Sequence, residues 1–167
     1  MTMIYDRRMT VVVDGPFVVL LIGFRINKFW KIHKWLPAAR GMFRMVRELE
    51  EHPEFGCLAT VRHGFTFRQY WRSFEHLEAY ARNREAEHWP VWVDFNRRMA
   101  NSRGDVGIWH ETFLVAADAY EAIYSGMPAA GLGLCGQLIP VDGATDNARA
   151  RLKRPLQGTA ENEAGSG

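Results

Sequence analysis

Two histidines, His88 and His110, stand in surroundings where an imidazole could do chemistry. Leu77, Ala81, Arg84 and His88 recur at helical spacing, and Trp92, Phe95 and Met99 continue the same stripe. That pattern puts His88 on the inward face of a helix. Pro90 follows two residues later, where its ring would kink the helix and free a carbonyl near residue 86. A neutral imidazole with one nitrogen hydrogen-bonded and the other free could ligate a metal. The same placement suits a core histidine packed near Trp89 and Trp92. His110 lies in a strand whose alternation sets Ile108, His110, Thr112 and Leu114 on one face and Trp109, Glu111, Phe113 and Val115 on the other. There it could exchange protons with a ligand near neutral pH, or bond a helix as a structural group. Glu111, between two aromatics, could orient or carry a proton, or form an interface ion pair. Arg25, Arg68 and Arg84 could each take a carboxylate bidentately, or serve as structural ion pairs. Trp71, Trp89, Trp109 and Phe67 could wall a pocket.

Other chemistries find no footing. There is no HExxH, no CxxC and no GxSxG. The run GLGLCG lacks the strand–loop–helix context of a dinucleotide site. A net charge of +2 over 167 residues gives no electrostatic reason to expect nucleic acid as a partner. Six Trp and ten Phe favour a small organic ligand, since aromatics line such pockets densely. Two cysteines without CxxC spacing, and no evident secretory cleavage site, lead us to expect a cytoplasmic protein. The apolar run from Val11 to Ile26 is broken by Asp14, Gly15, Pro16 and Arg25, so no membrane span is expected.

The elements that must position these residues follow from periodicity. Thr10 to Ile26 reads as a buried strand that Gly15-Pro16 must bend or interrupt. After an aromatic, basic connector, Pro37 is expected to start a helix whose apolar stripe is Met42, Met45, Val46 and Leu49. Phe55 to Val61 and Phe65 to Trp71 form a hairpin, with Phe67, Gln69 and Trp71 on one face and Arg68 and Tyr70 on the other. Ser73 caps a second, Pro90-kinked helix, and Val106 to Val115 is the last core strand. A short helix is expected over 119–124 and an extended segment over 132–141. Residues 1–142 thus form one α+β domain of βαββαβ, ferredoxin-like order, followed by a disordered tail over 143–167. Helices on one face leave the other sheet face to be covered, and a second copy would do so in a homodimer.

At YWRSFEHLEAYAR, GIWHETF, YEAIYSGMP and the N-terminal FVVLLIGFRINKFWKIHKWLP the chain resembles the dimeric α/β-barrel superfamily. Within it, it is similar to a monooxygenase-like set of bacterial and fungal proteins, over about residues 10 to 135. The resemblance implies a small dimeric oxidoreductase. A narrower likeness joins WRSFEHLEAYARNREAEH and the following WHE to the C-terminal half of haem-dependent aldoxime dehydratases. It implies haem b held by His88, with His110 as the distal acid–base group; Arg25, Arg68 and Arg84 are then candidates for its propionates or for a substrate carboxylate, and Trp92 for the wall beside it. Those enzymes take further catalytic groups from a first half that has no counterpart here. Three reactions are therefore carried forward: haem-dependent oxidation, a haem lyase of the aldoxime-dehydratase type, and cofactor-free oxygenation of an aromatic or polyketide substrate. A non-enzymatic ligand-binding role stands beside them.

Overall fold

The computed structural model describes residues 3–86, 89, 90, 93, 97 and 104–152. Its centre is a ten-residue strand, Phe17–Ile26 (β2), a largely apolar run that is buried or half-buried on both faces except at Arg25. It pairs antiparallel with Thr66–Trp71 (β4) on one side and Val106–Val115 (β5) on the other. Cys57–His63 (β3) completes the sheet beside β4, giving the order β3-β4-β2-β5. Counting β2 as the first core strand, this is the ferredoxin-like order expected from the sequence. The molecule is α+β, as anticipated.

Two helices, Ile32–Glu51 (α1) and Phe74–Arg82 (α2), pack on one sheet face. Leu49 of α1 and Leu77 and Tyr80 of α2 close over Val18, Leu20 and Trp71. Ala39 and Met42 do the same over Phe24, Ile26 and Phe67. Each fully buried aromatic side chain contributes about 1.5–3 kcal/mol relative to exposure, and Trp71 and Phe67 are the most buried of them.

Several expectations are revised. Of the two possibilities at Gly15-Pro16, the run from Thr10 to Ile26 is interrupted there and forms two strands. Gly15, with φ of +70°, turns the chain away from β2. The preceding Met9–Val12 (β1) instead pairs with Gln137–Pro140 (β6) in a separate two-stranded sheet. Helix α1 begins five residues before Pro37. Turns from Lys31 N–H to Lys28 O (3.1 Å) and from Lys34 N–H to Lys31 O (2.9 Å) wind the chain before the proline is reached. Residues 119–124 are irregular rather than helical, with Tyr124 bridged to Met9. The sheet face away from the helices is not left open for a partner over β2 and β4. The chain's own Met9, Val11, Val13, Tyr124 and Leu132 cover it. The tail boundary also moves. Residues 143–152 are docked, with Asp146 paired to Arg8 at 2.7 Å and Arg151 bonded to Glu121 at 2.7 Å.

Asp105 ties the two ends of the sheet's neighbourhood together. Its carboxylate is bonded by Lys28 and Lys31, both at 2.8 Å, and by Lys34 at 3.1 Å. Its carbonyl accepts from Asn27 N–H. The three ammonium groups hold its carboxyl well below the usual carboxylate range. The start of β5 is thereby pinned to the start of α1.

Candidate functional site

Between the helices and the sheet lies a cavity of about 290 Å³. Leu20, Ile22 and Phe24 of β2 form part of its floor, and Met42, Met45 and Val46 of α1 part of its roof. The alternation of β2 produces the floor, because every second side chain faces the helices. The wall is almost entirely apolar, as in most small-molecule pockets.

Few polar groups enter this cavity. Gln69 is 6% exposed, and its Oε1 accepts from Trp71 Nε1 at 3.2 Å. An indole N–H can only donate, so the amide must present its oxygen to Trp71 and its NH₂ elsewhere. Gln69 therefore supplies a buried donor in the wall. Tyr80 also lines the cavity and donates to Glu48 Oε2 at 2.7 Å. His110 reaches the cavity from β5, where it stands opposite Ile22. Because β5 is the edge strand of the sheet, His110 is exposed as well as pocket-lining. It can meet both a bound molecule and water.

The structure sorts the remaining expected residues. Trp71, Trp89 and Phe67 line the cavity with His110. Trp109 does not. It lies on the opposite sheet face, where an added β-carbon on Gly23 would meet its indole at 3.0 Å. Glu111 is exposed on that same opposite face, so it cannot act in concert with His110. Arg25 is exposed there too, and Arg68 lies in the wall of a different cavity. Neither can reach a group bound beside His110 through the intervening sheet. Arg84 is exposed and sits 5.3 Å over the Trp89 ring, a cation–π contact at the outer side of the wall. His88 and Trp92 lie outside the described residues. Gln69 was missed by sequence reasoning. Its signal was there: a lone amide between Phe67 and Trp71 on an apolar strand face.

Of the residues expected around haem, His88 and Trp92 thus lie outside the described residues, while Arg25 and Arg68 lie on the sheet face away from the His110 cavity. Among the described residues no three His, Cys, Asp or Glu side chains converge on a point that could hold a metal ion. No helix among them is long and apolar enough to cross a membrane.

Fold and site together define a ferredoxin-like α+β domain with a largely apolar cavity between sheet and helices, edged by the His110 imidazole. Residues 17–132 match the family described as Monooxygenase af470-like, and the chain belongs to that family. At family level it is a monooxygenase-like oxidoreductase. No curated protein and no solved structure matches it.

Proposed function

We propose that the protein oxygenates a small, electron-rich aromatic substrate in the cavity under the helices, without a bound cofactor, with His110 as the acid–base group. The observation that carries this reading is the His110 imidazole at the rim of a cavity whose described lining is otherwise almost entirely apolar. For a phenol, His110 takes the hydroxyl proton. The phenolate carbon then adds dioxygen to give a hydroperoxide. That intermediate loses water and leaves a quinone, with one oxygen atom retained in the product and the other in water. The apolar wall favours the delocalised phenolate over smaller hydrated anions. The donor on Gln69 orients the substrate oxygen. Positioning a general base contributes on the order of 10²–10⁴ in rate.

Oxygen uptake with a panel of phenols tests the proposal. His110→Gln should lower kcat by about a hundredfold while changing KM little. Equal turnover by the variant would remove His110 from the reaction. The same preparation decides the cofactor. A sharp Soret band on adding haemin, lost in His88→Ala, would replace this reading with a haem-dependent one. Aldoxime turnover by that haem-loaded protein would specify the lyase. A homodimer remains part of the reading. It is supported by Trp109 and Phe113, which are 39% and 50% exposed on the outer face of β5. Sedimentation at varied concentration tests it, and a monomer throughout would remove it.

A further inference from the structure

The sheet face away from α1 and α2 carries a second cavity, of about 500 Å³. It lies between Phe17, Val19, Arg68 and Tyr70 on the sheet side and the segment 119–132 on the other. Arg68 is the one cation among its described lining residues. Its Nε is shut off from solvent and has no hydrogen-bond partner. A buried guanidinium donor without an acceptor is costly, and proteins ordinarily satisfy it with a carboxylate or a carbonyl. The acid in the same wall, Glu121, is instead engaged by Arg151. The Tyr70 ring lies 5.7 Å from the guanidinium carbon, which is a weak compensation.

The surroundings of Arg68 are donors. Tyr124 Oη accepts from the Gly133 N–H at 2.7 Å, and the Tyr70 hydroxyl lies in the same wall. A phenol hydroxyl can donate while it accepts, so each has a hydrogen to give. Burial pushes both phenols up, so they stay protonated at neutral pH. Gly131 keeps this corner open. A β-carbon there would sit 3.1 Å from Arg68 Nη2 and 3.2 Å from Tyr70 Oη, and its φ of +56° also disfavours any other residue.

We propose that this second cavity binds a monocarboxylate with an apolar body, its carboxylate held by Arg68 with the Tyr70 and Tyr124 hydroxyls. One guanidinium balances one negative charge. A phosphate dianion would leave a charge uncompensated in a wall that already holds Glu121. Phe17, Val19, Val115 and Met127 supply the apolar surround. The site is separate from the His110 cavity, and its occupant need not be the oxygenated substrate.

Calorimetric titration of the full chain with benzoate, and with benzamide as its uncharged isostere, tests the proposal. Benzoate should bind about ten- to a hundredfold more tightly than benzamide. Arg68→Met should abolish that preference. Thermal unfolding without ligand supplies the second reading. A guanidinium kept for a ligand leaves Arg68→Met at least as stable as the wild type, because an orphaned buried donor has been removed. Equal binding of benzoate and benzamide, benzoate binding unchanged in Arg68→Met, or a marked loss of thermal stability in that variant would each overturn it.

Discussion

The Gln69–Trp71 contact allows a quantitative test of how the first cavity is held in shape. Both side chains are buried, Trp71 fully, and they share one bond of 3.2 Å. That length is at the long end for N–H···O, so its own contribution belongs near the lower end of about 0.5–1.5 kcal/mol. The larger effect is what each single substitution strands. Gln69→Leu leaves the indole N–H unsatisfied, at roughly 1–3 kcal/mol, partly offset by apolar burial. Trp71→Phe strands the Gln69 oxygen and opens space beside Tyr80, whose ring centroid is 5.6 Å away. Together these cost roughly 2–4 kcal/mol. The double substitution removes both stranded groups. It should therefore be less destabilised than the two singles added, by about 1–2 kcal/mol. Urea denaturation reads this directly. With a slope of roughly 2 kcal/mol/M, the midpoint of the double variant should lie about 0.5–1 M above the additive value. Additivity within about 0.5 kcal/mol would refute the argument that the amide is oriented by the indole.

Other consequences follow from the same coordinates. Asp105→Asn should lower the melting temperature at neutral pH, because three lysines lose their shared anion. Since the Asp105 carboxyl titrates lower in the folded than in the unfolded chain, its contribution is fully present above about pH 4 and fades as pH falls further, so the two melting curves should converge in acid; a gap that persists at low pH would refute this. Ending the chain at Asp142 should cost about 2 kcal/mol in urea unfolding, since Glu121 would be left without the cation that pairs it; an unchanged midpoint would show the docked segment to be passive. Cys135, its thiol pushed up to about 12 by burial, should resist iodoacetamide at pH 8 in the native protein and react once unfolded; rapid native labelling would contradict its burial.

Much of the core was legible because period-2 alternation survives in a sheet covered on both sides. β5 runs from Val106 to Val115 as the pattern indicates, and Ser73 caps α2 by accepting from His76 N–H. The same alternation already set Arg68 and Tyr70 against Phe67, Gln69 and Trp71. Placing Arg68 with the His110 cavity ignored that division, which the structure restores. The helical stripe that begins at Leu77 does not carry through to Arg84, for a local reason. Helix α2 ends at Arg82, and Asn83 accepts the Glu85 N–H through its side chain, an Asx turn that competes with helix. Pro90 was the louder signal, yet the break comes seven residues earlier. The pairing of β1 with β6 joins segments more than 120 residues apart, a contact that no local pattern encodes. The exposure of His110 likewise depends on which strand lies at the sheet's edge, a property of topology rather than of the strand's own residues.

β4 is the element on which both cavities depend. Hydrogen-bonded to β2 on one side and β3 on the other, it cannot slip by one residue without turning Gln69 out of the first cavity and Arg68 out of the second. The ladder that holds its register thus places an amide donor under the helices and a guanidinium on the far face, one residue apart in the chain. The side chains lie on opposite faces of the sheet and line separate cavities. Substitutions at Gln69 and Arg68 should therefore act independently on the two ligands, despite the adjacency of the residues in sequence.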